Sequence, residues 1–64
     1  MVKITLREVR EDKKKTIKQL SKMSGVSMGH ISKIETGQSM PTIDVLIRIA
    51  IALDVKLEEL YILI

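Results

Sequence analysis

The chain of 64 residues has no cysteine, no tryptophan and no phenylalanine, and only one tyrosine, one proline and one histidine. Without cysteine there is neither a disulfide framework nor a thiolate metal site, and His30 alone does not assemble a histidine zinc site. A reducing interior suits such a chain. With a single aromatic ring, a stacking platform for single strands or RNA bases is largely excluded. No uncharged apolar run is long enough to span a bilayer, and the opening MVKITLREVR lacks the apolar core of a secretory signal. A soluble, cytoplasmic protein without a membrane partner is expected. Glycine-rich phosphate loops are missing too, and the adjacent Glu58 and Glu59 point different ways on a helix, so no catalytic constellation is present. Neither an enzyme activity, a cofactor, a metal nor a small-molecule ligand is expected.

What the chain does carry is a modest positive balance, a net charge of +3. That balance fits nucleic-acid binding and fits many proteins that bind nothing anionic. The length predicts one domain over residues 1–64, and a chain of this size buries only about 60% of its unfolded surface, so help from a partner chain is plausible.

The most telling stretch is TIKQLSKMSGVSMGHISKIETG, residues 16–37. Thr16 is an N-cap with Gln19 three residues on, and Ile17, Leu20 and Met23 recur at helical spacing, predicting a short helix to about Ser24. Gly25 stops it in a left-handed conformation. Ser27 caps a second helix from about Met28 to Thr36, with Ile31 and Ile34 on its inner face and Gly37 at its end. Ser21 is small where two helices joined by so short a turn must cross. Each of these residues alone is an ordinary cap, core or turn residue; together their spacing predicts a helix-turn-helix.

The remaining segments read as further helices. Leu6 and Val9 with Arg10 and Lys13 mark one from about residue 5 or 6 to 13, and Met1 to Ile4 reads as a short strand or a frayed end. Pro41 and Thr42 open a strongly apolar helix through Leu53, expected to be the buried one, which Asp54 and Val55 break. A last short helix is expected from residue 56 or 57 to about Ile62. The fold class is therefore all-α, a compact five-helix bundle with a possible short N-terminal strand.

At this point the chain resembles the phage-repressor and Cro type of helix-turn-helix domain, the Xre family. The matching residues are LREVRED, then T-x-x-x-L-S-x-x-S-G-V-S, I-S-K-I-E-T-G, P-T-x-x-x-L-x-x-I-A-x-A-L-D-V and L-E-E-L-Y, spanning about residues 5 to 61. The resemblance implies a lambda-repressor-like fold that binds duplex DNA as a homodimer, usually as a transcriptional regulator and here most simply a repressor. It also implies an ion pair, Arg10 with Glu35, joining the first and third helices.

A helix starting after Ser27 can enter the major groove, where base edges distinguish all four base pairs. Met28, Gly29, Ser32 and Lys33 are then the base-reading candidates, and Lys33 is the best of them because an ammonium donates to guanine O6 and N7. Many family members carry long polar side chains at the first two positions, so methionine and glycine here leave direct readout thin and shift weight to DNA shape. Phosphate contacts are expected from Thr16 and the free N–H groups at Ile17, from Lys22, Ser27 and His30, and from donors at Thr36, Gly37 and Gln38. His30 has a second reading, as a cap on the neighbouring helix. The family's usual glutamine at the position of Ile17 and basic residue near Gln38 are both absent. The lysines from Lys13 to Lys22 either compensate electrostatically or form a solvated surface.

Leu60, Tyr61, Ile62, Leu63 and Ile64 put unusual apolar surface at a chain end, and a homodimer interface is the expected use. Folding of these residues back onto the first helix is the alternative. A second class of function uses the same scaffold as a protein-interaction or antitoxin-like module, with the apolar tail as the partner's docking surface.

Overall fold

Three hydroxyl side chains start three helices by the same local chemistry. The Thr16 hydroxyl oxygen accepts from the Gln19 N–H at 3.0 Å while the Gln19 side-chain oxygen accepts from the Thr16 N–H at 2.9 Å, a reciprocal capping box. Ser27 accepts from the His30 N–H at 3.1 Å, and Thr42 from the Val45 N–H at 3.3 Å. In the computed structural model, which describes residues 1–64, these caps open α2 (Ile17–Ser24), α3 (Met28–Glu35) and α4 (Ile43–Leu53). An earlier helix, α1, covers Leu6–Asp12. Thr5 precedes it without capping it: its hydroxyl donates instead to the Glu59 carbonyl at 2.8 Å, tying the start of α1 to the far end of the chain.

The helix ends have equally local causes. Gly25 ends α2 at φ +75°, a left-handed conformation that a Cβ would strain. Asp54 does the same for α4 at φ +55°, where a short polar side chain is tolerated. Lys14, at φ +57°, turns the chain out of α1 and into the start of α2.

The core is apolar throughout. Leu6, Leu20, Val26, Ile31, Ile34, Leu46, Ile49, Ala50, Leu53 and Leu60 form one buried cluster, so every helix contributes to it. Ile4, Val9, Ile17, Val45, Ala52, Val55 and Leu57 pack around its rim. No buried side-chain nitrogen or oxygen lacks a partner. Truncating Leu20, Ile31 or Ile49, each fully buried, is a large-to-small change of the kind that costs about 2–5 kcal/mol.

Four expectations from the sequence are corrected by this structure. There are four α-helices and a two-stranded sheet, not five helices. The expected last helix is a single 3-10 turn, Leu57–Leu60, after which Tyr61–Leu63 runs as β2 antiparallel to β1, Val2–Ile4. Val2 faces Leu63, Lys3 faces Ile62 and Ile4 faces Tyr61. β-Branched and aromatic residues suit a strand, and the fold brings the two chain ends together so that each supplies the other's partner. Next, Met23 lies off the inner face of α2 and is half exposed, leaving Leu20 as that helix's buried residue. Finally, α4 is buried on one side only, because Ile43, Ile47 and Ile51 are 60%, 43% and 75% exposed.

Candidate nucleic-acid interface

α2 and α3 form the centre of the site. Leu20 on α2, Val26 in the turn and Ile31 and Ile34 on α3 are buried together, and this fixes which face of α3 remains outside. Met28, Gly29, Ser32 and Lys33 are all exposed there, so the four base-reading candidates share the outward side of one helix. His30 is half buried, and its backbone N–H is the one that Ser27 caps. An added Cβ at Gly29 meets nothing within 4 Å. The fold therefore does not require glycine there.

The start of α2 is a donor site. The Thr16 and Gln19 amides are closed by the capping box, and Leu20 donates to the Thr16 carbonyl, so the Ile17 and Lys18 amides are left without partners in the chain. Two free N–H groups at the positive end of a helix, beside the exposed Thr16 hydroxyl and with Lys22 exposed one turn on, suit an anion. Sequence reasoning named Lys18 only for its side-chain charge, within the lysine run, although the capping box foretells that its amide stays open.

The opposite flank is less open than expected. The Thr36 N–H donates to the Ser32 carbonyl, Gly37 to Ile34 at 3.2 Å and Gln38 to Lys33 at 2.9 Å. The Thr36 hydroxyl also turns back, to the Ser32 carbonyl at 3.0 Å. Closing the C-terminus of α3, with Gly37 left-handed at φ +81°, consumes these donors. Thr36 and Gly37 are thus corrected to structural roles. The exposed side-chain amide of Gln38 remains as the donor of this flank.

Behind α3, Arg10 and Glu35 form a fork-to-fork pair. Arg10 Nε donates to Glu35 Oε2 at 2.6 Å and Nη2 to Oε1 at 3.1 Å, while Nη1 donates to the Lys15 carbonyl at 2.8 Å. The Glu35 side chain is only 1% exposed and that of Arg10 11%, so the pair ties α1 to α3 in a dry setting. Its hydrogen bond to Glu35 raises the Arg10 pKa above the ordinary guanidinium value, against an opposing pull from burial. Arg7 adds a looser contact to Glu35 at 3.5 Å, which the sequence pattern alone did not single out.

Two further observations bear on partners. Leu60 is fully buried in the core and is corrected from the expected dimer surface, because the 3-10 turn points it inward. Tyr61 is half buried, whereas Ile62, Leu63 and Ile64 are exposed. No helix is long and apolar enough to cross a membrane, and no three His, Asp or Glu side chains gather as metal ligands would.

The helix-turn-helix family model HTH_3 matches residues 6–60 of this chain. The chain belongs to the helix-turn-helix family. Two uncharacterised HTH-type transcriptional regulators from Mycobacterium tuberculosis, one from strain CDC 1551 and one from strain H37Rv, are each 42% identical over 57 residues. Those residues are 89% of this chain and 41% of each relative, so the chain spans less than half their length. Among solved structures, the restriction-modification controller protein C.AhdI from Aeromonas hydrophila superposes with a TM-score of 0.81 at 30% identity. That match covers 84% of this chain and 82% of the controller. The resemblance to the Xre type of domain is borne out, and this helix-turn-helix family is one of DNA-binding transcription regulators, not enzymes.

Proposed function

We propose that this protein is a sequence-specific duplex-DNA-binding regulator that acts in the cytoplasm as a homodimer on a near-palindromic operator, with α3 in the major groove. The observation that carries the reading is the exposed outward side of α3, where Met28, Gly29, Ser32 and Lys33 stand together beside the two open amides of α2. Lys33 donates to guanine O6 and N7, Ser32 adds a less selective contact, and Met28 meets a thymine methyl or a sugar. Gly29 lets the helix backbone approach closely. The α2 amides, the Thr16 and Ser27 hydroxyls, His30, Lys22 and Gln38 hold the phosphates on either side. Two copies set half-sites one turn apart, roughly 34 Å. Exposed apolar residues on β2 and on α4 supply surface that a second copy would cover.

Repression by occupying a promoter is the mode proposed. Footprinting that places the site upstream of a promoter the protein stimulates would reverse it.

Selection from a random duplex library at two salt concentrations tests the whole reading. An enriched inverted repeat is the expected result. Salt-sensitive binding with no enriched sequence would overturn specific reading and favour a protein-interaction or antitoxin-like role on the same scaffold.

A further inference from the structure

We infer that the outer edge of β1 docks an extended segment of a partner protein, one that sets an acidic residue opposite Lys3 between two apolar ones; this stands independently of the DNA reading above. The ladder decides which backbone groups are open. The Ile64 N–H donates to the Met1 carbonyl at 2.9 Å and the Thr5 N–H to the Leu60 carbonyl at 2.9 Å, so Lys3 and Ile62 are the bonded pair between them. Val2 and Ile4 therefore aim their N–H and C=O groups away from β2, and neither residue bonds elsewhere in the chain. Four open groups along one edge are a template for a further strand.

A groove of about 440 Å³ runs beside that edge, and no residue of β2 lines it. β1 forms one side, and the end of α3 with Met40 forms the other. Buried Ile34 and half-buried Ile4 give the groove an apolar base. Alternation then sorts the side chains of an added strand. Its residues opposite Val2 and Ile4 fall on the face by which Ile4 packs against the core, and the residue opposite Lys3 falls on the other face.

Charge selects the chemistry of the occupant. Lys3 is exposed, and Glu35, the only acidic side chain lining the groove, is already held by Arg10. Arg7 adds a second positive charge where it reaches Glu35 at 3.5 Å. Two copies joined edge to edge about a two-fold axis, in the register that uses all four open groups, would set Lys3 against Lys3 of the second copy. That is a non-hydrogen-bonded position, where side chains come closest, and like charges there repel. An aspartate or glutamate on a partner's strand meets Lys3 with the opposite sign.

NMR titration of the isotope-labelled full chain with the peptide Thr-Val-Glu-Val-Thr, capped at both ends, tests this. The amides of Val2 and Ile4 are expected to shift and to gain protection from exchange, at peptide concentrations near millimolar because so short an edge binds weakly. Methylating both valine nitrogens removes the donors aimed at β1 and should weaken binding at least about tenfold, whereas methylating the glutamate nitrogen, which points away, should not. Lys3→Glu should lose this peptide and bind Thr-Val-Lys-Val-Thr instead, with circular dichroism confirming an unchanged fold. No shift at Val2 or Ile4 up to millimolar peptide, or equal binding of the valine-methylated peptide, would overturn the proposal. Shifts there that follow the chain's own concentration, with no peptide present, would overturn it in favour of a second copy.

Discussion

At the scale of single residues, Arg10 and Glu35 show how a buried charge pair is retained. Both oxygens of Glu35 are engaged, and the third guanidinium direction is spent on the Lys15 carbonyl. Arg10→Ala leaves an almost fully buried carboxylate with only the distant Arg7 for company, and a loss of about 3–5 kcal/mol is expected in urea unfolding. Replacing both members, Arg10→Met with Glu35→Met, should recover most of it, because the desolvation cost disappears with the charges. The raised Arg10 pKa means that its charge contributes to stability at every pH below the ordinary guanidinium value, and is lost only as pH rises through the still higher folded one. Gly29 makes a different case. Open space surrounds its missing Cβ, so Gly29→Ala should raise stability by about 0.5–1 kcal/mol through the restored helix propensity. If α3 lies against the duplex as proposed, the same change weakens operator binding, and unchanged affinity would remove Gly29 from the interface. Lys33→Ala should cost roughly 1–3 kcal/mol at one base position, measured against a panel of single-base operator variants. Lys22→Ala should weaken all duplexes alike and lower the slope of affinity against salt by about one. Equal losses on every sequence for Lys33→Ala would exclude it from base reading.

At the scale of elements, the helix starts were legible because each cap is a bargain struck within four residues. Thr16→Ala should cost about 1 kcal/mol, read by urea unfolding, and should also leave the open α2 amides less well placed for a phosphate. The C-terminal segment was not legible, since LEELYILI is compatible with a helix until β1 is brought alongside. A two-stranded ribbon is marginal by itself, so the amides of Lys3 and Ile62, facing each other in the sheet, should exchange with solvent faster than those of Leu46 to Ala50 in α4. Leu60→Ala belongs to this scale as well. Its side chain is fully buried, and the expected outcome is a stability loss of about 2–5 kcal/mol, whatever happens to association.

At the scale of the whole molecule, local signals placed the helix-turn-helix, its caps and its left-handed Gly25 and Gly37, the family resemblance implied the Arg10 to Glu35 pair, and the structure keeps them all. The helix-turn-helix, its caps and its glycines follow from the sequence because capping, helical period and glycine's freedom act between residues a few positions apart. The set of outward residues on α3 followed too, once Ile31 and Ile34 were taken as core. What the sequence left undecided depends on which distant segment arrives. α4 is apolar nearly all round, and only the placement of α2 and the 3-10 turn against one side decides that Ile43, Ile47 and Ile51 stay outside. The donors of Thr36 and Gly37 looked available until the end of α3 closed on them. The chain ends became strands only because the fold set them side by side, each satisfying backbone groups that water would otherwise hold. Local chemistry thus determined the helices and the outward face of α3, while tertiary packing decided the sheet and the apolar surface left exposed on α4.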